Sequence, residues 1–337
     1  MDIAAFSDEQ SAGQRLMVGF DGTELNPNLK FLIKNLLVGG IILFTRNLLN
    51  PNQIKDLCFS MQSYARSCGQ PPLFISIDQE GGKVARLKEP FTQFPGNPKM
   101  KGPEDAIHFA RVTAKELTEI GVNMNLAPVL DVAPKGIDSV QTSRVFGHDP
   151  LWVSKLGTVV IDHLQVNNIM AVAKHFPGIG RIILDPHDEI SDLDIDADAM
   201  QTTDLFPFKT AIENNVAGIM LSHIRYPKVD ARWPASLSAT IAHDLLRKQM
   251  GYHGVIMTDD LDMGAIKKHY DIKTVLRQIL SADIDIALIC HKGPDIENAF
   301  EEILKSFSDS NRIKEKGLQS LRRIMKLKRK YLGYGLL

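Results

Sequence analysis

Cysteine is scarce in this chain. Cys58, Cys68 and Cys290 are an odd set with no metal-ligand spacing, and they read as reduced thiols in a cytoplasmic protein. No apolar stretch approaches the length of a membrane span. The amino-terminal MDIAAFSDEQ lacks the basic and apolar regions of a signal peptide. A formal net charge of −1 argues against nucleic-acid or anionic-membrane binding driven by bulk charge. The glycine-rich dinucleotide fingerprint and the phosphate-cradling P-loop are both missing. No Pro/Gly/Ser-rich linker divides the chain, and no low-complexity tract interrupts it.

What is present is ordinary globular composition, 44% hydrophobic and 23% charged over 337 residues. Eight short apolar runs recur along it: Leu16–Phe20, Gly40–Phe44, Leu73–Ile77, Val122–Leu126, Ile169–Ala173, Val216–Leu221, Gly254–Met257 and Asp285–Ile289. They are rich in Val, Ile, Leu and Met without strict alternation, as a parallel sheet covered on both faces requires. Helical segments lie between them, such as Pro51–Arg66, Pro103–Ile120, Trp152–Asn167, Asp204–Asn215 and Ser238–Met250. Ser238 stands where an N-cap belongs, and Gly251 follows as a stop. Eight strand–helix repeats predict an α/β fold, a (β/α)8 barrel forming one domain over residues 1–337. The basic, amphipathic SLRRIMKLKRKYLG reads as a final barrel helix with a solvated face.

Most runs deliver a polar residue at their carboxyl end. The second ends in Thr45-Arg46-Asn47, the third in Asp78-Gln79-Glu80-Gly81-Gly82, the fourth leads to Asp131, and the sixth and seventh end in Ser222-His223 and Thr258-Asp259-Asp260. In a barrel these ends converge on one face, where active sites are built. The segment AKHFPGIGRIILDPH says most. A buried strand ends in Lys174-His175, Pro177, Gly178 and Gly180 break regular structure, and an Asp-x-His pair follows at Asp185 and His187. The bland alternative is an ordinary loop with a surface histidine, but the cluster favours catalysis. In DQEGGKVAR the two glycines let the backbone pass close to a ligand, between acceptors and the Arg86 cation. Arg144 is suited to clamping hydroxyls or a carboxylate, and a structural arginine would look the same. A metal set drawn from His175, Asp185, His187 and His223 lacks a recognisable ligand spacing, so no metal and no cofactor are expected.

These segments together resemble the glycoside hydrolase family 3 catalytic domain, in its bacterial single-domain β-N-acetylhexosaminidase branch. The similar stretches, in the family's order, include LMVGFDG (16–22), IDQEGGKVAR (77–86), SRVFG (143–147), AKHFPGIG (173–180), DPH (185–187) and GVIMTDDLDMGAI (254–266). The resemblance implies a retaining exo-β-N-acetylglucosaminidase acting on terminal N-acetylglucosamine of peptidoglycan-derived muropeptides or disaccharides. By the family's pattern Asp259 is the nucleophile, His187 the general acid/base, and Asp185 the carboxylate that orients it. Asp78, Arg86, Arg144, Lys174 and His175 hold the terminal sugar. Retention of configuration needs a carboxylate nucleophile and a proton donor for the leaving oxygen. An imidazole, with an unperturbed pKa of about 6.5, both gives and takes a proton at neutral pH.

The chain departs from the branch in one loop. Ile179 stands where a histidine is usual, Arg181 is unexpected, and Pro186 separates Asp185 from His187 and restricts both its own φ and the residue before it. Two other readings follow. One is a family member of altered specificity, a β-glucosidase or a phosphorylase using phosphate in place of water. The other is a catalytically silent sugar-binding protein. If His187 is not the proton donor, Glu80 is the first candidate to replace it. A monomer without nucleic-acid or membrane partners is expected.

Overall fold

The computed structural model describes residues 6–183 and 190–334. Eight strands lie within the eight predicted runs or extend just beyond them: β1 (Leu16–Val18), β2 (Gly40–Leu43), β3 (Phe74–Ile77), β4 (Met124–Asn125), β5 (Met170–Phe176), β6 (Gly218–Leu221), β7 (Val255–Asp260) and β8 (Ile286–Ile289). Each pairs parallel with its neighbours in chain order, and β1 returns to β8 with Leu16 opposite Ala287, closing a barrel. The fold is the (β/α)8 barrel expected.

Alternation within the runs sorts two cores. Met17, Ile42, Phe74, Met124, Met170, Met220, Met257 and Leu288 fill the barrel interior. Their neighbours Val18, Ile41, Ile75, Ala171, Ile219, Ile256 and Ala287 face the surrounding helices. Five methionines inside suit a tapering space, because an unbranched thioether adapts to irregular gaps. The inward and outward sets are both apolar, which is why no polar alternation marks these strands in the sequence.

Proline marks many helix starts. Pro27, Pro51, Pro103, Pro150 and Pro294 each open a helix, where a fixed φ helps and a missing N–H costs nothing. Thus the helix expected from Trp152 begins at Pro150, capped by Asp149. Ser238 caps as expected, its Oγ accepting from the Ile241 N–H at 3.1 Å, and Gly251 ends the segment with φ +70°.

The carboxyl-terminal helix Asn311–Leu332 differs from expectation. Helix Pro294–Asp309 already follows β8, so this further helix lies across the amino-terminal mouth of the barrel. Leu321, Ile324, Met325 and Leu327 pack onto the interior core beside Met17 and Phe74. Lys328, fully buried, donates to Gln14 Oε1 at 2.6 Å and to the Gly39 carbonyl at 2.9 Å. Arg323 reaches Asp283 and Asp285 at 2.6 and 2.8 Å. With this end closed, access to the barrel interior is from the carboxyl ends of the strands. No helix among the described residues is long and apolar enough to cross a membrane.

Candidate active site

Six of the eight predicted site residues, Asp78, Arg86, Arg144, Lys174, His175 and Asp259, line one cavity of about 260 Å³ at the carboxyl ends of the strands. Its floor is the top of the interior core, Ile42, Leu126, Met220 and Leu288. Asp185 and His187 lie outside the described residues. A larger cavity of about 710 Å³ flanks β4, but its only carboxylate, Asp149, is spent on capping a helix.

Strand ends place the cluster. β5 continues past Ala173 through an irregular step to Phe176, and β7 past Met257 to Asp260. The polar residues that follow the apolar runs therefore belong to the final, distorted turns of their strands. Such irregularities re-aim side chains at barrel rims.

Lys174 is the centre of the charge network. Its Nζ lies 2.8 Å from Asp78 Oδ1 and 2.7 Å from Glu80 Oε1. Asp78 Oδ2 also accepts from Arg86 at 3.1 Å. Burial would raise the Asp78 carboxyl, but Lys174 and Arg86 outweigh it and hold it well below the usual carboxylate range. Burial likewise would lower the Lys174 ammonium, and the two carboxylates raise it instead.

Arg144 spends its fork on Glu80, with Nε to Oε2 at 3.0 Å and a terminal nitrogen to Oε1 at 2.7 Å. A further nitrogen donates to Gln141 Oε1 at 3.1 Å. A two-pronged arginine–carboxylate pair is rigid as well as strong. Arg144 still borders the cavity, but without an idle fork. Glu80 is only 1% exposed, and against the burial penalty Lys174 and Arg144 hold its carboxyl below the usual range. It therefore stays ionised and is unsuited to donating a proton, which removes it as the replacement acid.

His175 is set by the same logic. Nδ1 lies 2.7 Å from Asp131 Oδ2, while Nε2 faces an Arg144 N–H at 3.3 Å. An arginine can only donate, so Nε2 accepts and Nδ1–H donates to Asp131. Asp131 Oδ1 also accepts the backbone N–H groups of His175 and Ile179, at 3.3 and 2.8 Å. Asp131 was visible in the sequence only as a polar residue at a strand end, and Glu80 as the substitute proton donor. Their place as the buried counter-charges behind the cavity required the geometry.

Asp259 carries its Oδ1 2.8 Å from the N–H of Asp260. Burial would raise its carboxyl. His175, His223, that N–H and Lys174 more than compensate and lower it. Asp260 is pushed the other way, up to about 6, by burial and by the nearby Asp262 and Asp259 charges. Its Oδ1 ties β7 to β8, accepting from Asp262 N at 3.0 Å and Cys290 N at 3.1 Å. Both aspartates border the cavity, but Asp259 is held low while Asp260 is raised and spends its Oδ1 on backbone N–H groups.

Gly82 of DQEGG serves close backbone contact with the loop at Gly96, and Gly81 packs beside Phe109 and Phe94. Gly81 and Gly82 have φ +85° and +64°, and a Cβ on Gly82 would lie 2.9 Å from the Cα of Gly96. The metal set weighed from residue types also loses members. His175 has both ring nitrogens engaged, and His223 bonds Ser236 Oγ and the Asp260 carbonyl.

The sequence profile described as "Glycosyl hydrolase family 3 N terminal domain" matches residues 9–327. Beta-hexosaminidase A of Pseudoalteromonas piscicida is 36% identical over 336 residues, covering 91% of this chain and 56% of that protein. A beta-hexosaminidase of Nitrosomonas eutropha is 34% identical over 302 residues, covering 87% and 85%. Among solved structures, a glycoside hydrolase family 3 beta-N-acetylglucosaminidase from Paenibacillus sp. superposes with a TM-score of 0.93 at 34% identity, over 97% of this chain and 63% of that one. The chain thus spans little more than half of the Pseudoalteromonas protein and under two thirds of the Paenibacillus one.

Proposed function

The chain belongs to glycosyl hydrolase family 3, and on that premise we propose that it is a retaining exo-β-N-acetylglucosaminidase. It removes terminal N-acetylglucosamine from peptidoglycan-derived fragments, working as a monomeric single barrel domain in the cytoplasm. The three free cysteines support a reducing compartment. The observation that carries the reading is the cavity with Asp259 on one side and the Asp78–Lys174–Arg86 network on the other. Its volume of about 260 Å³ falls near the small end of ligand sites, roughly 300–1,000 Å³, which fits one terminal sugar better than a polymer. The related beta-hexosaminidases and the Paenibacillus beta-N-acetylglucosaminidase support the same sugar.

In this reading Asp259 attacks the anomeric carbon and forms a glycosyl-enzyme. His187, oriented by Asp185, protonates the departing oxygen and then deprotonates the incoming water. Asp78, Arg86, Lys174, Arg144 and His175 hold the terminal sugar, Arg144 and His175 as parts of the cavity wall, since their nitrogens are already engaged. The lowered Asp259 carboxyl supports a nucleophile that is ionised at neutral pH. The test is turnover of aryl β-N-acetylglucosaminide and aryl β-glucoside, each with and without phosphate, in wild type and His187→Ala. Hydrolysis of the first substrate alone is expected. In His187→Ala, poor leaving groups should suffer most, and azide should restore turnover of activated ones. Preference for the glucoside, a phosphate requirement or no turnover at all would each replace this reading.

A further inference from the structure

The geometry points to His223 as a positioning residue for Asp259, acting through the Asp260 backbone. This inference rests on the nucleophile assignment above and extends it to a residue outside the lining of the cavity. Near its end β7 is irregular, with its register against β8 shifting between Met257 and Asp260. A distorted strand end does not aim a carboxylate by itself. Residue 260 is instead pinned from three directions. Its side-chain Oδ1 accepts the N–H groups of Asp262 and Cys290. Its carbonyl lies 2.8 Å from His223 Nε2. Its N–H, so fixed, holds Asp259 Oδ1 at 2.8 Å.

His223 is itself locked. It follows β6 and is 2% exposed, and Nδ1 lies 2.7 Å from Ser236 Oγ. Ser236 is anchored by its own N–H on the Ser222 carbonyl at 2.9 Å, and Ala235 N–H bonds the Ile224 carbonyl at 2.9 Å. A carbonyl can only accept, so Nε2 carries the hydrogen that reaches Asp260. In the neutral ring Nδ1 is then the acceptor, and the Ser236 hydroxyl donates to it. The result is one directed chain, from Ser236 through His223 to the Asp260 carbonyl, and onward through that residue's N–H to Asp259. Its effect is to spend one oxygen of the Asp259 carboxylate on the backbone and to orient the other. Misplacement of a reacting group by about 1 Å costs on the order of 10²-fold in rate.

Two substitutions separate this role from mere packing. Glutamine sets an N–H₂ near the position of Nε2 and can keep the Asp260 bond. Asparagine reaches only as far as Nδ1 and loses it. The readout is the rate of covalent labelling by a ring-fluorinated N-acetylglucosaminyl fluoride, followed by mass spectrometry at Asp259, with affinity for free N-acetylglucosamine and thermal melting in parallel. His223→Asn is expected to label about 30-fold or more slowly, with sugar affinity within about threefold of wild type. His223→Gln should stay within about fivefold of the wild-type rate, and Ser236→Ala should fall between them. Equal losses in the Asn and Gln variants, or a loss confined to sugar affinity, overturn the positioning role while leaving the nucleophile intact. Wild-type enzyme that is labelled elsewhere than Asp259, or not at all, overturns both.

Discussion

Lys174 and Asp78 meet at 2.8 Å from strands that are not neighbours, since β4 stands between β3 and β5 in the barrel. The pair is a brace across the mouth of the barrel as well as part of the cavity wall. Lys174→Met would leave Asp78 and Glu80 buried without their shared cation. Breaking a buried pair in this way costs about 3–5 kcal/mol, or roughly 10 °C of melting temperature in a chain of this size. Both carboxyls sit below their ordinary values, so their contribution is full above an unfolded pKa of about 4 and fades as pH falls below it. The gap in melting temperature between wild type and variant should therefore narrow in acid. A variant melting within a degree or two of wild type at pH 7 would refute the brace.

Asp204 gives the opposite pH dependence. It is buried, Arg181 Nε approaches its Oδ2 at 3.3 Å, and its Oδ1 has no partner. Burial, with Arg181 offsetting only part, pushes it up to about 7. A raised carboxyl supports the fold fully below its unfolded value near 4, and that support is lost as pH rises through about 7. Asp204→Asn abolishes the titration, so the variant should gain on wild type between pH 4.5 and 8, by a few kcal/mol at most. Melting curves that run parallel across that range would contradict the assignment.

Asp259→Asn and Asp260→Asn should behave unlike each other. The first removes the proposed anionic nucleophile, and kcat should drop on the order of 10³-fold or more. The second keeps an oxygen able to accept the Asp262 and Cys290 N–H groups, so a loss of about tenfold is expected. Steady-state rates on an activated glycoside decide it, and comparable losses would undo the division of roles.

Gly180 is packed against backbone. A Cβ there would overlap the Val132 carbonyl and lie 2.9 Å from the Ala133 nitrogen, backbone atoms that cannot swing aside. Gly180→Ala should therefore move the segment from Ile179 onward, lowering kcat and loosening the Asp131–Ile179 hydrogen bond. Unchanged kinetics and unchanged amide exchange at Ile179 would show that the segment absorbs the methyl group.

The barrel was legible because its strands are buried on both faces, so Val, Ile, Leu and Met mark them without help from tertiary context. Their ends were less so. An apolar run stops at Ala173 or Met257, whereas backbone pairing continues through Lys174-His175 and Asp259-Asp260. Residue types alone marked Asp78, Lys174 and Asp259 as candidates. They did not reveal that Arg144 is committed to Glu80, because a fork that grips substrate and one that grips a buried glutamate are spelled the same way. Ile179 is instructive too. Where the family's pattern has a histidine, this side chain is 3% exposed in the apolar core, and its backbone N–H, not its side chain, serves Asp131.

The helix that seals the lower mouth has a consequence for how the chain is made. A ribosome delivers all eight strands before it delivers Leu321, Ile324 and Lys328. Until then Met17 and Phe74 lack their cover at the amino-terminal mouth, and Gln14 and the Gly39 carbonyl wait for the Lys328 side chain that satisfies them. At about 5–20 residues per second, the roughly 40 residues from Ile289 to Lys328 take about 2–8 s. For that interval the amino-terminal end of the barrel core stays uncovered, at the end away from the candidate site.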